Sequence, residues 1–196
     1  MRIGVISGSH RDAETNRISE YIVSKLKQME IDVYFYSLKE NPLPLWSEAA
    51  WDEESELSKE VITPISNELY ECDAFVIATP EWSGMAAPAL KNFFLYFSNG
   101  EFSFKPAYLV SVSAGRGGAY PIAELRSSSY KNTQIMYIPE HLIVRDCKNV
   151  FNGKSDDSYI ESRLEYGLNL LSEMTALLIP LQTENVIDLE NYPYGM

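Results

Sequence analysis

Short β-branched runs alternate along this chain with stretches of helical spacing. Ile3, Val5 and Ile6 make a buried-type strand that breaks at Ser7-Gly8-Ser9. Ile18, Ile22, Leu26 and Met29 then repeat at helical intervals, giving one apolar face. Residues 32–38 alternate polar with aromatic or β-branched side chains, as an edge strand does. A helix is expected over roughly 55–71, with Pro64 beginning or kinking its main part. Residues 73–79 read as a second buried strand. The helix from about Ala87 uses Pro88 in its first turn and aligns Leu90, Phe93, Phe94 and Phe97 on its core side.

Residues 107–112 form the next strand, and a helix over about 119–131 leads to a strand pair at 135–138 and 142–144. Asn152-Gly153-Lys154 marks a turn. Ile160, Leu164, Leu168, Leu171, Met174 and Leu178 keep helical spacing until Pro180, where the helix is expected to stop. Strands alternating with helices call for right-handed crossovers, because parallel strands bury both faces. The expected architecture is a single α/β domain over 1–196, with a doubly wound five-stranded parallel sheet in strand order 2-1-3-4-5.

Composition narrows the function. With 196 residues and 45% apolar content the chain can bury one sizeable core. A formal charge of −12 argues against binding nucleic acid or an anionic membrane surface. Cys72 and Cys147 stand far apart without metal-ligand spacing, so both read as reduced core thiols, and no metal site is expected. No leader-like or membrane-spanning apolar run is seen, which places the protein in the cytoplasm as an expectation.

Candidate chemistry collects in three loops, each following a predicted parallel strand. After the first strand, Gly8 permits close backbone approach, Ser9 and Thr15 offer hydroxyls, and Arg11 offers a bidentate donor at a helix start. That is an anion site, or else a Gly-Ser turn leading into a capped helix. After the third strand, Thr79-Pro80-Glu81-Trp82-Ser83-Gly84 supplies a flat aromatic face, unless Trp82 is an ordinary packing residue. After the fourth, Ser113-Ala114-Gly115-Arg116-Gly117-Gly118 supplies backbone N–H groups. In a doubly wound sheet such loops converge at the topological switch point. A phosphorylated planar heterocycle fits them, and FMN fits best. The loop over 43–51 carries Leu43, Leu45, Trp46 and Trp51, and it either packs on its own domain or meets a partner.

The motifs GSHRDAETN, TPEWSG followed by LKNFF, and SAGRGGA resemble, in order and spacing, those of the NADPH-dependent FMN reductase family of the flavodoxin-like fold, over residues 2–145. The resemblance implies that Ser9, Arg11, Thr15 and Asn16 hold the FMN phosphate. It implies that Pro80, Glu81, Trp82, Ser83 and Gly84 line the isoalloxazine, and that Ser113, Gly115, Arg116, Gly117 and Gly118 contact its polar edge. The implied activity is a flavin-dependent NAD(P)H oxidoreductase that passes electrons to flavin, a quinone or a similar small acceptor. NADPH or NADH would be the electron donor, and the protein a homodimer or homotetramer. No side chain is assigned as a catalytic acid or base, since the flavin carries the chemistry.

Glu14 departs from the family pattern, which has a serine there. A carboxylate about 4 Å from a phosphate charge costs roughly 4 kcal/mol per charge pair at an effective dielectric near 20, and solvent shrinks the figure. Glu14 is expected to rotate outward. Otherwise it impairs FMN binding, and the chain becomes a noncatalytic flavodoxin-like interaction module. A flavodoxin-type electron carrier is disfavoured because the T/S-x-T-G-x-T phosphate loop is missing.

Overall fold

The computed structural model describes residues 1–12, 14–153, 156–183 and 186–194. Its elements are β1 (Arg2–Ser7), α1 (Glu14–Gln28), β2 (Asp32–Ser37), α2 (Thr63–Tyr70), β3 (Ala74–Trp82), β4 (Met85–Ala86), α3 (Pro88–Tyr96), β5 (Pro106–Val112), α4 (Ala119–Ser128), α5 (Tyr130–Thr133), β6 (Met136–Val144) and α6 (Ser158–Thr183). The sheet runs β2-β1-β3-β5-β6 with every neighbour parallel, and β4 folds back antiparallel onto the end of β3. The doubly wound order expected from the sequence describes the five long strands. The short β4 was not foreseen, so the last two parallel strands are the fifth and sixth in the chain.

Each sheet face has its own apolar layer. Ile18, Ile22 and Leu26 of α1 and Leu164, Leu168 and Leu171 of α6 cover one side. Leu69 of α2, Leu90, Phe93 and Phe94 of α3, and Ile122 and Leu125 of α4 cover the other. β1 lies between β2 and β3 and is buried after its first residue, which explains its near-continuous apolar run. β2 is the sheet edge, as its alternation implies. Both cysteines are free and buried.

Two expectations are corrected. The strand pair at 135–138 and 142–144 is one continuous strand, β6, whose pairing with β5 slips between Ala107 and Leu109. Pro139 has no N–H for the ladder, and the backbone bulges there. Arg126 of α4 donates to the Ile138 carbonyl at 2.7 Å and holds the bulge. α6 continues through Pro180 to Thr183: the proline forgoes one i→i−4 hydrogen bond without stopping the helix, which ends within one further turn. The helix expected over 55–71 is present, with Pro64 in the first turn of its main part α2 as expected, and a π-helical turn, Ser58–Ile62, precedes it. The turn at Asn152-Gly153 is present, with Gly153 at φ +73°, while Lys154 lies outside the described residues. Among the described residues no helix is long and apolar enough to cross a membrane.

Candidate functional site

The carboxyl ends of β1, β3 and β5 lie side by side, and the three special loops leave from them. Gly8 donates its N–H to the Ala78 carbonyl at 2.8 Å. A Cβ at Gly8 would stand 2.7 Å from that oxygen and 2.9 Å from Leu90. The close approach expected of Gly8 is therefore to β3 and α3, and it binds the first loop to the second.

Ser9 is buried, and its hydroxyl is engaged by the main chain of Arg11, receiving its N–H and donating to its carbonyl, both at 3.2 Å. Ser9 shapes the loop. That leaves Arg11 projecting as an exposed cation, with no ion pair among the described residues. Its guanidinium lies 5.6 Å from the Trp82 ring centroid, and the His10 ring meets Trp82 edge-on at 4.9 Å. The phosphate-loop and aromatic-loop candidates are thus in direct contact, and Trp82 is partly buried, packing against the apolar layer on the α3 side while part of it stays open.

Thr15 and Asn16 sit buried in the first turn of α1. The Asn16 amide donates to Glu20 at 2.9 Å and its carbonyl oxygen accepts from Ser37 at 2.7 Å, which fastens α1 to the end of β2. Glu14 turns to Arg17, whose Nε donates to its carboxylate at 2.7 Å. The remaining Arg17 donors reach the carbonyls of Cys147, Val150 and Phe151 at 2.7 to 2.9 Å.

The second loop is a two-residue hairpin. Glu81 pairs with Ala86 and Trp82 with Met85, and the connecting Ser83 and Gly84 have φ of +52° and +76°. Two positive φ values in sequence are those of a type I′ turn, whose twist suits adjacent strands. Ser83 and Gly84 therefore set the angle of Trp82. Thr79 accepts from the Ala87 N–H at 3.2 Å, and Glu124 of α4 accepts from the Ala86 N–H at 2.8 Å. Its hydrogen bond to Lys91, then the one from Ala86, hold the Glu124 carboxyl below its usual pKa.

Glu81 reaches the third loop, where its carboxylate accepts from the Ser113 hydroxyl at 2.9 Å. It lies so close to Gly117 that a Cβ there would fall 1.9 Å from a carboxylate oxygen. Gly118 caps α4 at φ +100°, with Ile143 2.3 Å from a hypothetical Cβ. Gly115 has open space around it. Arg145 donates to the carbonyls of Arg116 and Gly117 at 2.8 and 2.9 Å. The sequence reading missed Arg145, although its place one residue beyond the end of β6 put it at the switch-point edge. Arg116 itself is exposed.

The structure thus brings Arg11, Trp82, Glu81, Ser113 and the 115–118 backbone to one edge. The Ser9 hydroxyl is bonded to the Arg11 main chain and the Asn16 side chain to Glu20 and Ser37. His10, Arg11, Arg116 and Arg145 place basic groups there on a chain with 28 acidic and 16 basic residues. An unpaired guanidinium at a helix start, an indole face and an open glycine backbone fit a phosphate joined to a flat heterocycle.

A family model described as NADPH-dependent FMN reductase matches residues 1–148. An NADPH azoreductase of Bacillus sp. (strain OY1-2) is 28% identical over 145 residues, covering 74% of this chain and 76% of the relative. An FMN-dependent NADPH-azoreductase of Staphylococcus saprophyticus is 27% identical over 119 residues, and the match spans 61% of either chain. The solved structure of the flavoenzyme NAD(P)H:(acceptor) oxidoreductase FerB from Paracoccus denitrificans superposes with a TM-score of 0.64 at 17% identity, covering 88% of this chain and 97% of that one. That likeness shows a shared fold.

Proposed function

The chain belongs to the NADPH-dependent FMN reductase family, and from that premise we propose that it binds FMN across the β1, β3 and β5 loops and passes electrons from NADPH or NADH to a small acceptor: flavin, a quinone or an azo compound. The observation that carries this reading is the contact of Arg11 with Trp82, which joins an anion-binding group to an aromatic wall at the switch point. FMN, when bound, supplies the hydride chemistry, so the side chains need only bind and orient.

In this reading Arg11 and the N–H groups at the start of α1 receive the phosphate. Trp82 forms one wall of the ring site, at the angle its hairpin sets. Glu81 holds Ser113, and Arg145 occupies the carbonyls of Arg116 and Gly117, so an arriving ligand meets the N–H groups of that loop. Arg116 is placed to attract an anionic nicotinamide cofactor or acceptor. The competing reading, a noncatalytic module spoiled by Glu14, loses support because Glu14 is committed to Arg17.

Met85 on the hairpin and Tyr120 beside it are both exposed, which suits a homodimer or homotetramer with a neighbouring subunit over the site. Light scattering tests that assembly. The central test is the visible spectrum of the purified protein, with FMN titration and NADPH oxidation in the presence of quinone and azo acceptors. A yellow protein, or one that FMN makes yellow and active, is expected. A colourless chain that FMN does not titrate would overturn the reading.

A further inference from the structure

We propose that the cavity bounded by Trp46, Trp51 and Glu101, on the outer side of α2 and α3, binds an organic ammonium cation. Its lining is drawn from the 46–54 loop, α2 and the end of α3, and includes none of the residues assigned to FMN above. The volume is about 530 Å³, within the range that small molecules occupy.

The aromatic loop that builds it is pinned to α3. Asn92 accepts the Trp46 N–H at 2.8 Å and donates to the Pro44 carbonyl at 2.7 Å, and the Tyr96 hydroxyl donates to the same carbonyl at 3.1 Å. Trp46 and Trp51 meet with centroids 5.2 Å apart and planes 74° apart, forming two walls of a corner. Tyr70 and Tyr96 add further aromatic lining. Trp51 is 69% exposed, an unusual place for an indole with only packing to do.

The charge of the cavity selects the sign of its occupant. Glu101 is only 3% exposed, accepting from the Ser66 hydroxyl and the Asn99 N–H at 2.8 Å each. No Lys or Arg ion pair to it is present among the described residues. Lys105, whose charge is felt by Glu101, directs its ammonium group to the carbonyls of Leu69 and Tyr70. Glu53 adds a second carboxylate to the lining, Glu54 is paired with Lys59, and no lysine or arginine lines the cavity. Aromatic faces attract cations through the ring quadrupole, and a buried carboxylate that Lys105 approaches without a salt bridge among the described residues supplies the complementary charge. A neutral guest of equal shape gains neither contribution, and an anion is repelled.

The test is calorimetric titration of the full chain, with and without FMN, using choline and its neutral isostere 3,3-dimethylbutan-1-ol at low ionic strength. Saturable choline binding at least about tenfold tighter than the alcohol is expected, independent of FMN. Trp51→Ala should weaken choline about fivefold or more, and Glu101→Gln should do the same with an unchanged circular dichroism spectrum. Should Glu101→Gln fail to fold, Trp51→Ala and Glu53→Gln, both at exposed positions, carry the test. Absent saturation, equal binding of the alcohol, or unchanged binding by Trp51→Ala would overturn the proposal. A negative result here leaves FMN binding untouched, because the two sites share no residue.

Discussion

The Glu14 carboxylate accepts the Nε–H of Arg17 at 2.7 Å, and Arg17 gives its other donors to three carbonyls between Cys147 and Phe151. The residue that breaks the family pattern is thereby tied, through Arg17, to the segment that follows β6. Replacing it with serine should leave phosphate recognition nearly unchanged.

Glu14→Ser is expected to alter FMN affinity by less than about threefold and to cost roughly 0.5–1 kcal/mol of stability through the lost ion pair. FMN and riboflavin titrations beside urea denaturation check both. A gain above about tenfold for FMN with none for riboflavin would mean that Glu14 faces the phosphate after all.

Trp82 stands beside Arg11 and His10 and is turned by a tight hairpin. Added FMN should quench the fluorescence of the protein strongly, and Trp82→Phe should remove most of that quenching. Arg11→Ala should weaken FMN by about tenfold or more while changing riboflavin affinity little, since only the phosphate is lost as a partner. Quenching that survives in Trp82→Phe would displace the ring site from this wall.

The three glycines of the 115–118 loop should respond differently. Gly118 has φ +100° and Ile143 against it, so Gly118→Ala should destabilise by about 2–4 kcal/mol. Gly117→Ala forces the Glu81 carboxylate aside and breaks its bond with Ser113, a loss that Glu81→Ala in the same chain should partly restore. Gly115 faces open space, and Gly115→Ala should keep stability within about 0.5 kcal/mol while weakening FMN. Thermal melts and FMN titrations separate these outcomes. A Gly115→Ala protein that melts early would show the loop is not open there.

Lys105 is buried, and that burial lowers its pKa to about 8 even though the ammonium group donates to two carbonyls. Unfolded, a lysine titrates near 10.4, so between about pH 8 and 10.4 the unfolded chain holds the extra proton. Stability from this group should therefore rise with pH across that window, and the penalty is full below it. The whole effect is at most about 3 kcal/mol. Burial raises the pKa of Tyr36, Tyr108 and Tyr137, which bends the profile the other way at higher pH. The informative quantity is the difference between wild type and Lys105→Met in urea unfolding from about pH 7 to 10. Parallel profiles would refute the assignment.

Much of the fold was legible because each long strand and helix carries its own period. The unbroken apolar run of β1, the alternation of β2 and the core stripes of α1, α3 and α6 depend on nearest neighbours along the chain. Local signals misled where a tertiary partner compensated for them. The break expected between 138 and 142 falls at Pro139, yet Arg126 from α4 bonds to the Ile138 carbonyl at the bulge and β6 continues. The loop after β3 also turned out to be a hairpin, because Glu81 pairs with Ala86 and Ser83-Gly84 closes the turn between them.

The same division holds at the candidate site. Sequence by itself determined which loops follow the strand ends and which groups they bear, because strand order and loop chemistry are written in consecutive residues. It did not determine which of those groups remain available. Ser9 is engaged by Arg11, Asn16 by Ser37 and Glu20, and Glu14 by Arg17, while Arg145 arrives from a distant strand to take two loop carbonyls. Only the tertiary structure decided these pairings, since a polar side chain's partner is set by what folding brings within about 3 Å of it, and the chain's local pattern carries no record of that distance.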